Sequence, residues 1–133
     1  MNALLLDTNV VSILFNRHHA LRQACVETVA GPQLTISFMT RAELVLWPVA
    51  NKWGASRRAA LEEHMALYLT LYPDEHTCAI WATIVDQCRR AGQSIQTADA
   101  WIAASARQWG CPLVTTDFRD YNAVDDLDVV PIR

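Results

Sequence analysis

Ala3-Leu4-Leu5-Leu6-Asp7-Thr8-Asn9 decides the fold of this chain, because four apolar residues run directly into a carboxylate and two small polar side chains. A strand buried on both faces reads as a continuous apolar run rather than an alternating one, and such strands belong to parallel sheets covered by helices. In open α/β sheets ligands bind just beyond the carboxyl ends of the strands. Asp7 therefore marks the edge where a site is expected.

Working outward, Thr8 to Asn16 reads as a short helix and His18 to Ala30 as a second, closed by Gly31-Pro32. Leu34 to Ser37 is the next strand, and the period turns helical from Phe38 until Pro48 disturbs it. Ala55 to Leu71 has Leu61, Met65, Tyr68, Leu69 and Tyr72 at helical spacing, although Tyr68 to Tyr72 also fits a short strand. Pro73-Asp74 opens a helix with Cys78, Trp81, Ile84, Val85 and Cys88 on its apolar stripe, stopping near Gly92. A small-residue helix from Thr97 to Gly110 follows, with Ala98, Trp101, Ile102, Ser105 and Trp109 on its apolar face. Cys111 to Thr115 returns as a strand, Thr116 to Tyr121 caps it, and Val129 to Ile132 makes an edge strand where Pro131 is harmless. Helices alternating with short apolar strands predict an α/β fold, a three-layer α/β/α sandwich with a mainly parallel central sheet.

The bulk numbers agree with one domain spanning residues 1–133. A hydrophobic share of 52% and a charged share of 19% exclude disorder. Four cysteines, Cys25, Cys78, Cys88 and Cys111, form no metal-ligand spacing and read as reduced core residues. There is no basic leader and no apolar run of about 18 residues, so a cytoplasmic protein is expected. The net charge of −3 argues at first against a nucleic-acid binder. That objection weakens if several of the acids hold a cation, since the remainder of the chain is then faintly basic.

Singly, each acid has an ordinary explanation. Asp7 and Asp117 can cap the turns that follow them. Glu43 stands at capping-box spacing from Thr40, and Asp99 lies in a first helical turn. Together they differ, because Asp7 and Asp117 follow strands directly while Glu43 and Asp99 sit on opening turns of helices that can reach the same edge. Four carboxylates there would repel unless cations held them. Hard divalent cations take oxygen ligands, and the implied chemistry is metal-assisted phosphodiester hydrolysis. His18, His19, His64 and His76 are scattered and offer no competing nucleophile-base pair.

Leu4-Leu5-Leu6-Asp7-Thr8-Asn9, Thr40-Arg41-Ala42-Glu43-Leu44, Ala98-Asp99-Ala100-Trp101-Ile102-Ala103-Ala104-Ser105-Ala106 and Leu113-Val114-Thr115-Thr116-Asp117-Phe118-Arg119-Asp120-Tyr121 resemble, in order and spacing, the successive motifs of PIN-domain ribonucleases. The match is to the VapC toxins of type II toxin–antitoxin systems and covers essentially the whole chain. The resemblance implies that Asp7, Glu43, Asp99 and Asp117 bind Mg²⁺ or Mn²⁺ and carry catalysis. It implies that Asn9 and Thr115 position the first and last aspartates, with Asp120 as an accessory acid. It also implies an RNA substrate, a cognate antitoxin and a homodimer.

A haloacid-dehalogenase-like phosphatase needs a second Asp where this chain has Asn9, and a receiver domain needs a lysine by the pocket, whereas Lys52 is the only lysine. A non-catalytic PIN fold that binds RNA or protein, or a structure-specific DNA nuclease, are the remaining alternatives. RNA contact is expected from among Arg17, Arg41, Arg57, Arg58, Arg89, Arg90 and Arg107. Trp47 and Trp53, flanking Pro48 and Gly54, are candidates for exposed anchors in an antitoxin groove.

Overall fold

The apolar run of the first strand lies at the centre of a five-stranded, all-parallel sheet in the computed structural model, which describes residues 2–133. The strands are β1 (Ala3–Leu6), β2 (Gln33–Ser37), β3 (Leu69–Leu71), β4 (Leu113–Thr115) and β5 (Val129–Pro131), in the order β3-β2-β1-β4-β5. Leu5 pairs with Thr35 on one side and Leu113 on the other, and Leu6 pairs with Val114. Successive side chains of a strand point to opposite faces. Leu5 and Leu113 accordingly enter one apolar cluster, and Leu6 and Val114 the other.

The helices are α1 (Thr8–Phe15), α2 (Arg22–Val29), α3 (Phe38–Ala50), α4 (Ala55–Met65), α5 (Glu75–Arg90) and α6 (Thr97–Trp109). Val10, Ile13, Cys25, Leu44, Leu61 and Met65 from α1 to α4 fill the cluster that contains Leu6. Ile84 and Cys88 of α5 and Ala100, Ile102, Ala103, Ala104 and Ala106 of α6 fill the one with Leu5. Fully buried Ala103 and Ala104 let α6 lie close against the sheet and α5, so small side chains take the place of a broader apolar stripe. Gly110 ends α6 in the left-handed conformation with φ +65°, which a residue without Cβ adopts at no cost, and the chain turns directly into β4.

The strand order reverses at β1, which has β2 on one side and β4 on the other. Chain segments leaving these two strands diverge to opposite sides, opening a crevice at their carboxyl ends. Asp7 follows β1, Asp117 lies just beyond β4, α3 leaves β2, and α6 leads into β4. That topology positions the site.

Several sequence expectations shift. α2 begins at Arg22 rather than His18, because the chain from Asn16 runs through turns held by local backbone bonds. Pro48 does not end α3, which runs on to Ala50; the proline is buried, and its carbonyl accepts bonds from the Trp53 N–H and the Arg58 guanidinium. Leu69 and Tyr72 leave the buried stripe of the preceding helix because Leu69–Leu71 is an edge strand. Trp109 is half-exposed at the end of α6. Cys78 is exposed rather than core, since its neighbour Thr77 turns inward to bond Asp74 and Gln108, while the other three cysteines are buried and all four are free. β5 is an edge strand containing Pro131, as anticipated.

Candidate metal-binding and catalytic edge

Asp7 is the most enclosed of the acids at the crevice, with 5% of its surface exposed. The residue caps α1: Oδ1 accepts the Thr8 N–H at 2.8 Å. Oδ2 accepts the Thr115 hydroxyl at 2.7 Å and the Tyr121 hydroxyl at 3.3 Å. The capping explanation is thus correct and incomplete, since two of the three donors come from the far end of the chain.

Asp99, in the first turn of α6, is half-buried, and its Oδ1 lies 3.4 Å from the same Tyr121 hydroxyl. Asp117 is exposed at the start of a short 3₁₀ turn, Phe118–Tyr121. Its backbone N–H donates to the Thr115 hydroxyl at 2.9 Å and its Oδ2 accepts from the Asn9 amide. Glu43 is half-buried on α3 and accepts the Thr8 hydroxyl at 2.8 Å; that hydroxyl also lies 3.0 Å from the hydroxyl of Thr40. The capping-box reading of Glu43 is replaced, because Ser37 caps α3 through the Met39 N–H.

Asn9 and Thr115 both serve acids, in a crossed arrangement: Thr115 from the last motif bonds Asp7, and Asn9 from the first bonds Asp117. Sequence reasoning missed Thr8, which ties the first motif to Glu43, and Tyr121, which touches two acids. Tyr121 stands four residues after Asp117, one turn of a short helix, and that spacing is the signal that could have found it.

None of these acids forms an ion pair: among the described residues the one ion pair is Arg90 with Asp86, on the exposed face of α5. Burial pushes the Asp7 carboxyl up, against its hydrogen bonds and helped by the charge of Asp117. Asp99 is pushed up to about 6, by burial first and then by the charges of Asp7, Asp120 and Glu43. The Tyr121 hydroxyl is also driven upward, by burial and by the two aspartates. It stays a proton donor.

The donor set is all oxygen, contributed by acids that disfavour each other's charge, and this is the chemistry that suits a hard divalent cation. As the side chains stand, no three acidic, histidine or cysteine groups among the described residues enclose a single point. Asp7, Asp117 and Glu43 are each held by a separate hydroxyl or amide, and Asp99 by the Tyr121 hydroxyl it shares with Asp7. Shallow depressions of about 310 Å³ beside Thr8, Asn9 and Glu43 and about 330 Å³ beside Asp117 and Asp120 flank the edge.

The arginines sort differently from the sequence expectation. Arg58 donates to the carbonyls of Trp53 and Pro48 and Arg107 to the Asp125 carbonyl, so these two tie segments of the fold together, while Arg90 pairs with Asp86 on the exposed face of its own helix. Arg119 and Arg133, which were not among the expected ones, flank the ring of Phe118 next to Asp117. Trp47 and Trp53 are half-buried rather than exposed; their rings pack on each other 5.4 Å apart, and Phe15 stacks on Trp53. Exposed apolar surface falls on their neighbours instead, at Val45 (51%), Leu46 (60%) and Val49 (59%), beside Tyr72.

The family profile of the PIN domain matches residues 4–127 of this chain. The chain is a member of the PIN domain family. Its relatives include Ribonuclease VapC1 of Haemophilus influenzae, 26% identical over 124 residues that cover 92% of each chain. Toxin FitB of Neisseria gonorrhoeae is 30% identical over 129 residues, covering 92% of this chain and 93% of that one. In fold, this PIN domain superimposes on VapBC2 from Rickettsia felis, solved bound to a promoter DNA fragment, with a TM-score of 0.86 at 18% identity, over 98% of this chain and 99% of that one. The three-layer PIN architecture with its parallel sheet is therefore the architecture of this chain. No helix among the described residues is long and apolar enough to cross a membrane.

Proposed function

We propose that this PIN domain is a divalent-metal-dependent endoribonuclease and the toxin of a type II toxin–antitoxin pair. The observation that carries this reading is the gathering of Asp7, Glu43, Asp99 and Asp117 at one sheet edge, linked through Thr8, Asn9, Thr115 and Tyr121 and with none of them in an ion pair. The similarity to Ribonuclease VapC1 and Toxin FitB supports the substrate and the biological role.

In this reading the four carboxylates hold Mg²⁺ or Mn²⁺, which supplies charge to polarise a phosphodiester and to acidify water. The chain's own contribution is orientation. Thr115 and the Thr8 N–H fix both oxygens of Asp7, Asn9 fixes Asp117, and the Thr8 hydroxyl fixes Glu43. Low exposure of Asp7 strengthens its interaction with any cation, because field lines there run through protein rather than water. In this reading Arg119 and Arg133, packed against Phe118 beside Asp117, meet RNA phosphates.

An antitoxin and a second copy of the chain are the proposed protein partners. The apolar strip at Val45, Leu46 and Val49 supports a protein contact, since a face this apolar on a surface helix is suited to burial against a partner.

Incubation of the purified chain with a structured RNA tests the activity. Cleavage in Mg²⁺ at few positions, leaving 5′-phosphate and 3′-hydroxyl ends and abolished by EDTA, is expected. Cleavage that persists in EDTA, or ends with a 2′,3′-cyclic phosphate, overturns the metal-hydrolysis mechanism. Arg119→Ala is expected to raise KM about 3-fold while kcat holds, the size of one exposed phosphate contact.

A further inference from the structure

We propose that Tyr121 is a positioning residue whose hydroxyl holds the Asp7 and Asp99 carboxylates together for a divalent cation; the proposal rests on the metal-dependent reading above. The ring is 2% exposed and belongs to the apolar cluster with Leu5, Ala100, Ala103 and Leu113, so packing fixes where its oxygen sits. That oxygen lies 3.3 Å from Asp7 Oδ2 and 3.4 Å from Asp99 Oδ1.

The two acids depend on it unequally. Asp7 also accepts the Thr8 N–H and the Thr115 hydroxyl, and its backbone is tied to Val114 through its N–H. Among the described residues, Tyr121 is the one hydrogen-bond donor to the Asp99 carboxylate. The one hydroxyl proton is thus shared between two carboxylates that repel each other, at 3.3 and 3.4 Å, and only the Asp99 side lacks another restraint. Removing the hydroxyl frees Asp99 to swing toward solvent, and a cation must then reorder it at the cost of that freedom. Partners that orient metal ligands in this way are worth about 10- to 100-fold in affinity.

Isothermal titration of Mn²⁺ and of Mg²⁺ into the parent chain, Tyr121→Phe and Tyr68→Phe tests the proposal. Tyr68 is a control for losing a buried tyrosine hydroxyl, because its partner is His64 in the other cluster. Expected is about 10-fold weaker Mn²⁺ binding in Tyr121→Phe, with Tyr68→Phe unchanged. Equal or tighter binding in Tyr121→Phe overturns the role of Tyr121 and leaves the metal reading standing. A parent chain that binds neither cation removes the metal reading and this inference with it. Should Tyr121→Phe not fold, the parent chain labelled with ¹³C at tyrosine Cζ gives the same answer: Mg²⁺ shifts the Tyr121 resonance while Tyr68 and Tyr72 stay still, and an unmoved Tyr121 overturns the proposal.

Discussion

Two clusters of polar side chains in this molecule are built around aspartates, and they treat charge in opposite ways. At the start of α5, Asp74 is exposed and accepts the Thr77 N–H and the Gln108 amide, both at 3.0 Å, in a reciprocal capping box. Its carboxyl is held below the usual range, first by the Thr77 backbone bond and then by Gln108. At the sheet edge Asp7 and Asp99 are drawn into the protein beside other acids and pushed upward. The first cluster stabilises the fold by being ionised; the second is destabilised by the same event. A fold retains such an edge for what it can bind, since strongly perturbed acids in a crevice are more characteristic of sites than of structural frameworks.

The largest effect that tests this contrast is on activity. Asp7→Asn is expected to lower RNA cleavage by at least about 100-fold, as loss of a charged group acting on the transition state does, while the chain stays folded. Asp74→Ala should leave cleavage unchanged and lower the melting temperature, because the Thr77 N–H loses its acceptor. If Asp7→Asn still cuts RNA, or if Asp74→Ala stops cleavage without unfolding, the division between the two clusters is wrong.

How much of this division could be read from residues alone depends on how far apart the partners stand in the chain. Asp7 and Asp117 just beyond apolar strands and Asp99 in a helix first turn were legible because these are local patterns, and Glu43, in the second turn of α3, followed from its motif. The contacts that hold those acids were not. Thr8 reaches Glu43 across 35 positions and Tyr121 reaches Asp7 across 114, and no periodicity links such pairs. Side-chain direction near helix ends was equally hidden: Cys78 points out because Thr77 points in, and Trp47 packs on Trp53 while Leu46 faces solvent. The arginines misled for the same reason, since Arg58 and Arg107 find backbone carbonyls only once α3, α4 and the loop at Asp125 are assembled.

A smaller effect concerns the stability of the acidic edge. The Asp99 carboxyl titrates at about 6 when folded, above its ordinary value of 3.8. The folded chain therefore takes up a proton that the unfolded chain releases, and Asp99 opposes folding less and less as pH falls from about 6 to 3.8. Above that window it opposes folding. Asp99→Asn should be more stable than the parent chain at pH 7 by about 1 kcal/mol, allowing for solvent screening of a half-exposed group. The advantage should vanish at pH 4 in metal-free buffer, where the parent carboxyl is protonated too. Denaturant unfolding at the two pH values measures the difference, and an Asn variant that is less stable at pH 7 would show that Asp99 serves the fold.

The smallest effect separates charge from hydrogen bonding at Asp74. Asn is as good a helix cap as Asp, so Asp74→Asn keeps an acceptor for the Thr77 N–H and loses only the negative charge at the α5 amino terminus. Its melting temperature at pH 7 should fall by less than that of Asp74→Ala. The sign with pH is the reverse of Asp99: a carboxyl held low in the fold stabilises it when ionised, above the unfolded value of 3.8, and the contribution fades as pH drops through the lower folded value. Parent and Asn variant should accordingly converge in strongly acidic buffer, while the Ala variant stays below both. Raised salt should also narrow the gap between parent and Asn variant, because an exposed charge acting on a helix dipole is screened, whereas the Ala variant keeps its deficit. A gap between parent and Asn variant that persists in acid and in salt would mean that Asp74 acts through geometry alone, and its contrast with the crowded carboxylates of Asp7 and Asp99 would no longer be one of charge.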